Sequence, residues 1–80
     1  MNEKVVVALI DDLSAGEKIV SVHAHISGAL EACWEDYEQC SKGKPCVSEG
    51  DFKQELGEEQ IYDADSIATT YSIYYAAMRS

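Results

Sequence analysis

The sequence predicts an α+β fold: a small antiparallel or mixed β-sheet of about three strands, in the order β-β-α-(α)-β, with one main helix packed on one face. Three observations predict it. A continuous β-branched run lies near the N-terminus and is followed by an alternating run. A stripe of apolar residues at helical spacing comes next. A stretch rich in β-formers lies near the C-terminus.

Val5-Val6-Val7-Ala8-Leu9-Ile10 is short, apolar and β-branched, the pattern of a buried strand. Asp11 to Gly16 is rich in turn formers, so a loop of about six residues should close a hairpin. From Lys18 to His25 the residues alternate: Val20, Val22 and Ala24 on one face, Ser21, His23 and His25 on the other. This predicts a second, half-buried strand with a polar histidine face.

The period then changes. Ser27 is a plausible N-cap for a helix starting at Gly28, and Ile26, Ala29, Leu30, Cys33, Tyr37 and Cys40 form one apolar stripe with Trp34 at its edge. Lys42 suits the C-terminal end of the helix dipole, Gly43 the position just beyond it, and Pro45 prevents continuation. Ser48 with Asp51 resembles a capping box for a short helix from about Glu49 to Leu56 that buries Phe52 and Leu56 and ends at Gly57. The run from Ile67 to Tyr75 fits either a strand or a helix. Its β-formers favour a strand, which also provides a third partner for a hairpin that would be marginal alone. Gln60-Ile61-Tyr62 can add a short piece before it.

The 80 residues are expected to form a single domain, 1–80, with a thin core. Fifteen acids against six bases leave a net charge of −9. Such a surface repels nucleic acids and anionic membranes, which need cationic partners, so basic proteins or nucleoprotein complexes are the expected partners. No targeting or membrane-spanning segment is visible, and a cytoplasmic location follows, with Cys33, Cys40 and Cys46 reduced.

Side chains of reactive types have plainer explanations. His23 and His25 on one strand face could share a metal with a cysteine, but no close C-x-x-C pair is present and Cys33 and Cys40 fall on the apolar stripe. Cys46 follows Lys42 and Lys44, yet a nucleophile also needs a base and an oxyanion hole. The acid pairs Asp11–Asp12, Glu35–Asp36 and Glu58–Glu59 fall in a turn, on a helix surface and in a loop. The sequence contains no phosphate-binding, nucleophile-elbow or zinc-protease motif. No enzymatic activity, cofactor or metal is therefore expected.

The distribution of acid is more informative. Four acids and no Lys or Arg lie between Val20 and Ser41, and seven acids with only Lys53 lie between Glu49 and Asp65. Carboxylates recurring along such a face can imitate a nucleic-acid backbone and be steered into a basic groove. The expected partner surface comprises Glu31, Glu35, Asp36, Glu38, Glu49, Asp51, Glu55, Glu58, Glu59, Asp63, Asp65 and Tyr74. Tyr74 enters because tyrosine favours interfaces, and because on a strand it points away from Tyr71 and Tyr75.

The stretch from Val5 to Tyr37, with its acidic turn, Ile-Val-Ser-Val-His strand and Ser-Gly-Ala-Leu-Glu-Ala helix, resembles the opening of small phage-encoded accessory proteins. The short, acidic chain as a whole looks like phage anti-defence inhibitors such as anti-CRISPR proteins. The resemblance is one of size, charge and element order, and it assigns no functional residue. It implies a stoichiometric inhibitor that occupies a host protein's surface, with nucleic-acid mimicry as its mode. The alternatives are a structural or assembly module that forms a homodimer, and a small metal-binding protein.

Overall fold

The apolar run Val5–Ile10 lies inside β1 (Asn2–Asp12), a central strand of a four-stranded antiparallel sheet. The computed structural model describes residues 2–79, and side chains from 4 to 77. The other strands are β2 (Glu17–His23), β3 (Ile61–Ala64) and β4 (Thr69–Arg79), in the order β2-β1-β4-β3. Two helices, α1 (Ile26–Cys40) and α2 (Glu49–Glu59), connect β2 to β3. The α+β class, the C-terminal strand and both helices are as expected. The Ile61 segment completes a fourth strand.

A four-residue loop, tighter than the expected six, joins β1 to β2. The Asp12 carboxylate accepts from the Ser14 backbone and hydroxyl and from the Ala15 backbone. Gly16, at φ +69°, supplies the left-handed turn. These bonds, led by the Ser14 hydroxyl, hold the Asp12 carboxyl below its usual range.

Register decides which side chains meet the helices. Val6, Ala8 and Ile10 lie beside Tyr75, Ile73 and Tyr71 of β4, and beside His23, Ser21 and Ile19 of β2. Val6, Ala8, Ile10, Tyr71 and Ile73 join Ala29, Cys33, Trp34, Tyr37, Phe52, Leu56 and Ala64 in one hydrophobic cluster. Both helices pack on this face. Tyr37 stacks on Phe52 with ring centroids 5.0 Å apart, and Tyr71 meets Phe52 edge-on at 5.4 Å. The protein spans 43 × 27 × 18 Å, and its short axis has room for one sheet and one helical layer.

Several sequence expectations are corrected. The β2 valines are not the covered face: Val20 is 58% and Val22 54% exposed, and Ser21 and His23 turn toward the helices and pair with each other at 2.8 Å. β2 stops at His23, and His25 rather than Ser27 occupies the N-cap of α1, without a side-chain cap bond, so the helix starts at Ile26. Gly28 lets that first turn approach β2, because a Cβ there would lie 3.2 Å from His23 Nδ1. Cys40 is exposed and donates its thiol to Asp36 rather than packing in the stripe. α2 runs through Gly57 to Glu59, and Gln60 takes the left-handed C-cap at φ +64°. Gly57 lies within the helix, and a Cβ there would make only an ordinary contact with Leu30 at 3.8 Å.

Candidate functional site

The acidic side chains have two different fates. Glu31, Glu35 and Glu38 recur along the outer side of α1, and Glu49, Asp51, Glu55, Glu58 and Glu59 along α2; all are exposed. Asp63 and Asp65 continue the acid past α2, and repulsion from Asp65 raises the Asp63 carboxyl above its usual range. Asp36 is withdrawn from this surface. It is partly buried and accepts 2.7 Å from the Tyr71 hydroxyl. Tyr74 and Asp63 lie on the opposite face of the sheet, away from the helix acids, so the expected surface divides in two.

Lys53 is the only base in either helix. It bridges Glu31 of α1 and Glu49 of α2, and those bonds, Glu31's first, raise its ammonium above the usual lysine range. The other helix acids have no cation from these elements. Beside α2, an open depression of about 460 Å³ is lined by Val47, Asp51, Gln54, Glu55, Glu58 and Glu59. A cationic side chain entering there would meet four carboxylates.

The placement of the acid is not what helix stability asks for. Glu49 and Asp51 suit the first turn of α2, where the dipole is positive. Glu38 in the last turn of α1, and Glu58 and Glu59 in the last turn of α2, face the negative end, and neither last turn carries a basic residue. Asp51–Glu55 and Glu55–Glu59 are like-charge pairs four residues apart, which also oppose helix formation.

The candidate reactive groups do not converge. His25 sits at a helix cap while His23 ends a strand, and among the described residues no three His, Cys, Asp or Glu side chains are placed to hold a metal. Cys33 is fully buried, and burial followed by the nearby Asp36 charge pushes its thiol up to about 12. Among the described residues no helix is long and apolar enough to cross a membrane.

Sequence reasoning missed the other side of the sheet. Val5, Val7, Leu9, Val20, Val22, Ile61, Tyr74 and Ala76 share the face that carries no helix. Their alternation with the core residues was the available signal. No family model matches the chain, and neither a curated protein nor a solved structure matches it.

Proposed function

We propose that the protein is an acidic protein-binding inhibitor, a nucleic-acid mimic whose helical layer occupies a basic surface of a host nucleic-acid-binding defence complex. The observation that carries this reading is an exposed carboxylate layer on α1 and α2 with Lys53 as its only base. Glu38, Glu58 and Glu59 disfavour their own helices, and rule-breaking of that kind marks residues retained for something other than the fold. A basic groove would offset the repulsion and would be reached by electrostatic steering. The resemblance to phage anti-defence proteins supplies the class of host target. The mode of action is occupancy rather than catalysis.

The test is affinity capture from host lysate at low salt, followed by a high-salt wash, using the protein and a Glu35→Lys/Glu38→Lys/Glu55→Lys variant. The expected result is a basic nucleic-acid-binding protein that is held at low salt, released by high salt and lost with the variant. Equal capture by the variant would reject the helical layer as the binding surface.

A further inference from the structure

We propose that the uncovered face of the sheet pairs with the same face of a second copy, forming a two-fold dimer in which both acidic helical layers point outward. The face is apolar and accessible at its rim: Val20 is 58%, Val22 54%, Ile61 52% and Tyr74 46% exposed. Strand pairing sorts it into rows. Val22, Val7 and Tyr74 form one row, and Val20, Leu9, Ser72 and Ile61 the next. The row nearest the β1–β2 turn is Lys18, Asp11, Thr70 and Asp63, which holds all the formal charges on this face among the described side chains in these rows.

Charge identifies the occupant. A net −9 protein cannot readily bring its helical layer against another copy, whereas this face carries one cation and two anions. Two sheets packed face to face keep their strands nearly aligned, about 10 Å apart. A two-fold axis parallel to the strands sets β2 of one copy across from β3 of the other and preserves the rows. Lys18 then lies opposite Asp63 of the second copy, twice by symmetry, and Val20 lies opposite Ile61. A two-fold perpendicular to the strands would instead set Lys18 over the valine end. The surface is self-complementary in the first arrangement alone.

Area sets the strength. Four strands about 4.8 Å apart and about seven residues long cover roughly 450 Å² in projection. Doubled for the pair, this is about 900 Å², at the weak and reversible end of specific interfaces. Dimerisation is therefore expected between about 10 μM and about 1 mM.

Sedimentation equilibrium across that range tests the proposal on the protein and on Lys18→Glu, Asp63→Lys and the double variant. Both residues are exposed, so folding is not at stake. The expected result is a monomer–dimer equilibrium weakened roughly tenfold by either single change and restored by the double one. Asp63→Lys is the sharper test, because it lowers the net negative charge and must still weaken the dimer. A monomer at about 1 mM would overturn the proposal. A dimer indifferent to the single changes, or not restored by the double variant, would also overturn it.

Discussion

The Tyr71 hydroxyl donates a 2.7 Å hydrogen bond to Oδ2 of Asp36, joining the central strand β4 to α1 across the aromatic core. Tyr71 is fully buried, so its hydroxyl has no water to turn to. Asp36 keeps some solvent contact and also accepts from the Cys40 thiol. Tyr71→Phe is expected to lower unfolding free energy by about 1–2 kcal/mol, less than for a fully buried charged partner. Urea unfolding with an unchanged denaturant slope would show it.

The buried Tyr71 phenol and Cys33 thiol are expected to make the fold sensitive to alkali. Burial first, then Asp36, pushes the Cys33 thiol from its ordinary 9.0 to about 12, and burial pushes the Tyr71 phenol up as well. A folded-state value above the unfolded one means that the native protein holds a proton the unfolded chain releases. The associated stability is fully present below pH 9.0 and is lost as pH rises toward about 12. Urea midpoints should fall steadily above pH 9.0. Iodoacetamide at neutral pH should modify the exposed Cys46 readily and Cys33 only after unfolding.

Glu38 and Glu59 oppose the dipoles of α1 and α2, so replacing both with lysine should stabilise the protein while weakening its binding. The two changes together should be worth roughly 1 kcal/mol and raise Tm by about 4–8 °C. Calorimetry and a binding titration on the same variant test this opposition. A variant that loses both stability and binding would remove the functional explanation for the acid.

Lys53 is the one residue that neutralises the helical layer, through Glu31 and Glu49. Lys53→Gln should cost less than about 1 kcal/mol, as exposed ion pairs do. It also frees two carboxylates, and binding to a basic partner should tighten about two- to five-fold at low salt, with the gain disappearing at high salt.

The legible parts of this fold were those in which one local pattern decides the outcome. The β-branched run at Val5–Ile10 marks a strand wherever it lands, and the spacing of Ala29, Cys33 and Tyr37 marks a helix. The β-formers from Thr69 to Tyr75 outweighed the competing helical spacing, and the structure has a strand there. What stayed hidden depends on register. Alternation in β2 separates Val20 and Val22 from Ser21 and His23, but only the pairing Val6↔His23 and Ala8↔Ser21 shows which set meets the helices. The same register sets Tyr74 and Asp63 on the face away from the helix acids. Ile61–Ala64 is too short to announce itself and becomes a strand by pairing with Thr69–Ser72. The exposure of Cys40 follows from its place in the last turn of α1, beside Asp36.

In the proposed mimicry, the acidic helical layer takes the place of nucleic acid on a basic partner. The most direct measurement is competition. The captured partner is loaded with labelled nucleic acid, the protein is titrated in, and the label's anisotropy is followed at two salt concentrations. The expected result is stoichiometric displacement at low salt, abolished by Glu35→Lys/Glu38→Lys/Glu55→Lys. A ternary complex in which the nucleic acid stays bound, or displacement indifferent to that variant, would contradict it.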